Sequence, residues 1–210
     1  MKRSIPYILG IAVVLLLIYL SLDLQKLDAY LAARPSLSFD ADEYARVVWE
    51  QKMPAVIRDA PDILTVMDLL QSDPEQAFER MGRKLGISGT LYFMVKGEGI
   101  IDSVEEESLR IRLDGGFQIE LATAFIFGNA IRDGSGVVDI DEFLNMTDFN
   151  MVSIALNKRV KEEVVPLLVG SARPGESIEF AGAFEMREDQ PDIHSIRIIP
   201  VSVKPGDDVR

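Results

Sequence analysis

The chain has 210 residues, 48% hydrophobic and 27% charged, with no low-complexity tract, a composition that supports one ordinary folded domain plus appendages and argues against disorder. It contains no cysteine, which excludes disulfides, thiolate metal sites, a cysteine nucleophile and a lipid carried on cysteine. Its formal charge is −12, and residues 27–210 alone hold 19 basic and 33 acidic residues, a balance of −14. Such a surface repels nucleic-acid phosphates and anionic lipid headgroups, so no nucleic-acid partner is expected.

The N-terminus, MKRSIPYILGIAVVLLLIYLSLDL, places Lys2 and Arg3 ahead of an uncharged, mostly apolar run from Ile5 to Leu22. A bilayer's hydrocarbon core takes roughly 17–25 residues of helix, so this run predicts a signal anchor over 1–22. The flanking positive charges stay cytoplasmic, which puts the C-terminal domain in the periplasm of a bacterium, with the inner membrane as partner through residues 5–22. Two alternatives compete. A cleaved signal peptide has a shorter apolar core and a small-residue site, for which Leu31-Ala32-Ala33 is the only candidate. A buried helix of a soluble protein would need a polar face, and none exists between Ile5 and Leu20.

Residues 23–39 read as a spacer, and 40–90 as a helical segment packed on the strand-rich remainder of the chain. Asp40 with Glu43 three residues on forms a capping box, and Pro54 is expected to interrupt that first helix. A second helix opens near Pro61 and a third at Asp73-Pro74. Trp49 and Tyr44 on the first helix are expected to pack rather than to form a sugar-stacking platform.

From Leu91 the period changes to two. LYFMVKGEGIIDSV reads as a strand with bends or bulges at Gly97 and Gly99. SLRIRL and FQIELA alternate and are joined through Asp114-Gly115-Gly116, which predicts a hairpin. A helix is expected over 141–168, ended by Pro166, followed by strands at 176–184 and 194–203. Three strands, a helix and two strands give the connectivity of an OB-like barrel over 91–204, so the fold class is α+β, with a five-stranded barrel and a long helix between strands three and four.

The stretch RDGSGVVDIDEF, Arg132–Phe143, resembles a calcium-binding EF-hand loop. With Gly136 at position 6, the ligands would be Asp133, Ser135, Asp139 and Glu142. Position 1 is then Ile131, which has no ligand oxygen, and a strand rather than a helix runs into the loop. The competing expectation is a tight Asp-Gly-Ser-Gly turn, with Asp139 or Asp141 at the start of the next helix.

The segment FGNAIRDGSGVVDIDEFLNMTDFNMVSIALNKRV is similar to the signature of an uncharacterised bacterial family of predicted periplasmic lipoproteins. The matching positions are Gly128, Ile131, Arg132, Asp133, Phe143, Asn145, Ala155, Leu156 and Asn157; VKGEGII, GESIEFAGAFEM and IRIIPVSV resemble its strand segments. The resemblance spans Val48 to Val203. It implies a domain of unknown function, often encoded beside sugar ABC transporters, and hence an accessory role in sugar uptake. Two departures stand out: there is no lipobox cysteine, and Met146 stands where a polar residue is common.

The remaining candidate chemistry is sparse. His194 is the only histidine, no serine-nucleophile motif lies near it, and Glu105–Ser108 reads as a solvated loop. No catalytic residue and no cofactor is expected, and the chain is read as non-enzymatic. The candidate ligand-binding residues are Arg132, Asp133, Asn145 and Asn157. The two asparagines are twelve apart, about 120° around a helix, so they do not share one face closely. The alternative for Arg132 and Asp133 is a buried pair pinning a strand-to-helix corner. The functional expectation is a membrane-anchored binding or assembly module with an envelope-protein partner; the alternatives are a small-molecule or sugar-binding module and a calcium-stabilised domain.

Overall fold

A computed structural model of the chain describes residues 39–86 and 88–206. The apolar run 5–22 and the spacer through residue 38 lie outside the described residues. Among the described residues, no helix is long and apolar enough to cross a membrane.

The first helix, α1, runs over 41–59. Asp40 caps it by accepting from the Glu43 amide at 2.9 Å. Pro54 does not interrupt it. The helix widens through a π turn, Val48–Lys52, in which the Met53 amide bonds the Val48 carbonyl, and Pro54 enters as the second residue of the next α segment, Met53–Asp59. A wider turn moves the backbone away from the proline ring, which otherwise collides with the carbonyl four residues back. Two shorter helices follow, α2 (Ile63–Ser72) and α3 (Pro74–Met81), each capped by an aspartate, Asp62 and Asp73.

Five strands form a closed barrel: β1 (Thr90–Val104), β2 (Ser108–Arg112), β3 (Gln118–Ala122), β4 (Ser177–Arg187) and β5 (Arg197–Pro205), in the order β1-β2-β3-β5-β4. The longest ladder is β1 against β4, running from Thr90↔Arg187 to Ile100↔Ser177. The bulge between β1 and β2 falls at Ile101–Ser103, beyond the expected positions Gly97 and Gly99. The seam between β3 and β5 is parallel and holds only Glu120↔Arg197 and Leu121↔Ile198. Arg197 extends it by donating to the carbonyls of Ala124 at 2.7 Å and Glu107 at 3.3 Å.

Between β3 and β4 lie two helices. The short α4 (Ala130–Ser135) occupies the segment expected to be a tight turn. The long α5 runs over 146–171, beginning at Met146 rather than 141 and continuing past Pro166 to Ser171. It passes that proline as α1 passes Pro54: a π turn, Val160–Val164, precedes it, with the Val165 amide on the Val160 carbonyl.

Inside the barrel, Leu91, Phe93 and Val95 of β1 meet Leu109 and Ile111, Ile119 and Leu121, Phe180 and Phe184, and Ile198. The same cluster takes Ile63, Val66, Met67 and Leu70 from α2, and Leu168 from the last turn of α5. β1 is buried on both faces from Leu91 to Val95, because α4 packs on β1 and β4 from outside. A second apolar layer unites Ala45 and Val48 of α1, Ala130 and Ile131 of α4, and Phe149, Val152 and Leu156 of α5.

Candidate functional site

The signature segment is organised around one arginine. Arg132 is 2% exposed, and its guanidinium donates through Nε to Asp133 Oδ1 at 2.6 Å and through Nη2 to Asp133 Oδ2 at 3.1 Å. Nη1 donates to the Phe149 carbonyl and to Asn150 Oδ1, both at 3.1 Å, and the guanidinium carbon lies 3.6 Å from the Phe149 ring centroid. The pair therefore ties α4 to the first turns of α5 through a fork and a cation–π stack. Its hydrogen-bonding capacity is directed at the protein itself.

Residues such as Asp and Gly disfavour a helix here, which explains the expectation of a turn. Tertiary contact decides otherwise. Gly134 lets α4 lie close on the sheet: a Cβ there would stand 3.2 Å from the Phe93 carbonyl oxygen and 3.4 Å from the Ala183 side chain. Gly136 then ends α4 in the left-handed region, at φ 65°.

The other two candidates separate as their spacing requires. Asn145 is the exposed N-cap of α5, accepting from the Asp148 amide at 2.9 Å and donating to its carboxylate at 2.8 Å. Asn157 is buried and donates to the Gly128 carbonyl at 2.9 Å, leaving its own Oδ1 without a hydrogen bond. Arg132, Asp133 and Asn157 thus share the α4–α5 contact, and Asn145 stands apart from it.

The four residues of the calcium alternative have separate engagements. Asp133 pairs with Arg132, the Ser135 hydroxyl donates to the Arg132 carbonyl, Asp139 accepts from the Asp141 amide, and Glu142 accepts from the Tyr44 hydroxyl. Among the described residues, no group of three His, Cys, Asp or Glu side chains could hold a metal ion. His194 is exposed in a turn closed by Asp192, and Glu105 pairs with Arg110 at 2.8 Å.

Tyr92, on the outer face of β1, shares this buried polar layer. Burial raises its pKa first, and the nearby carboxylates of Asp133 and Glu185 raise it further, while the Asn129 side chain opposes them through a hydrogen bond. A phenol whose folded pKa is raised contributes stability below its unfolded pKa, about 10, and loses that contribution as pH rises through the folded value. Replacing Tyr92 with phenylalanine should therefore flatten the fall in stability above about pH 10. Denaturant titrations at pH 7 and pH 11 measure this; equal slopes in both proteins would disprove it.

A cleft of about 800 Å³ opens between α1, α3 and the end of α4. Its floor is Met94 and the Gly134–Val137 backbone, and its walls carry Lys52, Arg80, Arg83 and Asp59. Lys52 donates to the Val137 carbonyl at 3.0 Å. The Arg83 backbone exchanges two 2.8 Å hydrogen bonds with Tyr92, and its guanidinium occupies the space a side chain at 136 would fill. Asp59 is held in a fork by Arg58. Composition hides this basic site, because Lys52 lies far from Arg80 and Arg83 in the chain; the cluster Arg80, Arg83, Lys84 was its one legible trace. A smaller cavity of about 280 Å³ beside β1, β4 and β5 mixes Lys96 and Lys204 with Glu98 and Glu179. The β2 and β3 strands, the usual OB binding face, carry no aromatic residue, and Arg112 there faces Asp102 at 3.9 Å.

A family model described as "Predicted periplasmic lipoprotein (DUF2291)" matches residues 12–204. Among solved structures, the crystal structure of an OB-fold protein from Thermotoga maritima MSB8 superposes with a TM-score of 0.73 at 26% sequence identity, covering 81% of this chain and 100% of that one. No curated protein matches the chain.

Proposed function

Because the chain belongs to the family of predicted periplasmic lipoproteins, we propose that it is a non-enzymatic, envelope-held binding module whose ligand enters the cleft between α1, α3 and α4. The observation that carries this is the cleft's construction: at about 800 Å³ it has small-molecule size, and its floor is the signature segment itself. The non-enzymatic reading is supported by the ionisable groups lining it, three cations and one aspartate already paired with Arg58, which offer no free general base. With no cysteine in this sequence to carry a lipid, the apolar run 5–22 is the proposed anchor, in the inner membrane with the barrel on the periplasmic side. A link to sugar uptake rests on the family resemblance alone.

Ala55 lines the cleft from α1, and tryptophan at that position would fill it. A panel of neutral and charged monosaccharides should give saturable stabilisation of the full chain, and Ala55→Trp should abolish it while retaining the fold. Stabilisation that survives this variant, or none from any member of the panel, counts against the cleft.

A second reading, docking to an envelope protein, is favoured by Phe125 and Phe127, which are 59% and 69% exposed. Phe125 holds a φ of 50°, a strained value for a non-glycine residue. Photo-crosslinking in intact membranes should trap one species from position 127 and not from position 106; the same pattern from both positions would remove this reading.

A further inference from the structure

We infer that the ligand of this cleft is an oxyanion, a carboxylate or phosphate carried on a small molecule, held by Arg80 and Arg83. The inference rests on the cleft assignment above and adds the chemical class of the ligand.

The chain engages most of its described arginines with its own acceptors. The described residues include eleven: 46, 58, 80, 83, 110, 112, 132, 159, 173, 187 and 197. Nine of them have side-chain hydrogen bonds or ion pairs with protein acceptors: Arg46, Arg58, Arg110, Arg112, Arg132, Arg159 and Arg187 with carboxylates, Arg173 and Arg197 with carbonyls. The two whose side chains have none among the described residues are Arg80 and Arg83, and both line this one cleft. In a chain with 34 acidic and 22 basic residues, unpaired guanidinium groups gathered at one concavity invert the charge locally.

Arg83 is also preorganised. Its backbone is fixed to β1 by the two hydrogen bonds with Tyr92, and its guanidinium rests on the bare backbone of Gly136. Fixing the backbone at Arg83 before the ligand arrives removes part of the ordering cost of binding, although the side chain itself is exposed. The planar guanidinium fork matches the paired oxygens of a carboxylate or phosphate, and Lys52 adds a third positive charge at the cleft wall. The competing account is that Arg83 merely complements the carbonyl end of α4. That would occupy one charge; Arg80 would still have no side-chain partner among the described residues.

Equilibrium binding to the full chain, at fixed ionic strength, with inorganic phosphate, citrate, D-galacturonate and neutral D-galactose tests the inference. At least one of the anions should saturate, and Arg80→Gln and Arg83→Gln should each weaken it by about tenfold or more, the loss of one charge-assisted hydrogen bond. Arg187→Gln, at an exposed pair with Asp189, should leave the affinity unchanged. Arg80 is exposed, so its variant keeps the test informative if Arg83→Gln fails to fold. No saturation by any anion overturns the inference, as does an affinity indifferent to both arginines. If galactose binds as tightly as galacturonate and Ala55→Trp still abolishes it, the oxyanion assignment falls and the cleft assignment stands.

Discussion

Replacing Arg132 with methionine should cost about 3–5 kcal/mol, the range seen when one partner of a buried ion pair is removed. The cost lies less in the lost bonds than in what stays behind. The Asp133 side chain is 5% exposed and would keep a buried charge without a counterion, while the Phe149 carbonyl and Asn150 Oδ1 would each lose a donor. The double variant Arg132→Met with Asp133→Leu removes both charges together and should recover most of the loss, because a well-packed apolar pair of similar volume is often as stable as the ions it replaces. Denaturant unfolding of the wild type, the single variant and the double variant measures this. A single variant within about 1 kcal/mol of wild type would show that the corner does not depend on the pair, since surface changes fall in that range.

The second large effect belongs to the barrel interior. Phe93 is fully buried and pairs across the β1–β4 ladder with Phe184, their rings 4.9 Å apart and 7° from parallel, with Phe78 tilted at 6.5 Å. Phe93→Ala should destabilise by about 3–5 kcal/mol through lost burial and the cavity left behind. The melting temperature of a domain of this size shifts by about 2–4 °C per kcal/mol, so a fall of roughly 6–20 °C is expected by calorimetry. Phe93→Leu retains much of the volume and should fall between the two. A cost near 1 kcal/mol for alanine would mean that α2 and α3 collapse into the space.

Much of the barrel could be read from alternation alone. Leu109 and Ile111 on β2, and Ile119 and Leu121 on β3, sit at every second position, and all four are in the core. The run Leu91–Val95 breaks that alternation for a reason periodicity cannot supply: its outward side is covered by α4, a helix that local propensity argues against. The two prolines misled in the same way. Pro54 and Pro166 are helix breakers by every local rule, and both are passed by a π turn that single-residue reasoning does not foresee. Arg132 and Asp133 were legible as a pair because they are adjacent. The basic cleft was not, because its walls come from α1, from α3 and from the segment after it, its floor comes from β1 and α4, and only the topology brings them together.

The two-residue β3–β5 seam bears on how this molecule fluctuates. Local opening is least costly where a ladder is shortest, and here the closing contact is two residue pairs supplemented by one arginine side chain. Breathing of the barrel will therefore begin there, as a transient split that turns a cylinder into a curled open sheet. The long β1–β4 ladder would act as the spine during such an event. The cleft rests on that spine, through Met94 and the α4 backbone, so its geometry is insulated from the motion most accessible to the fold.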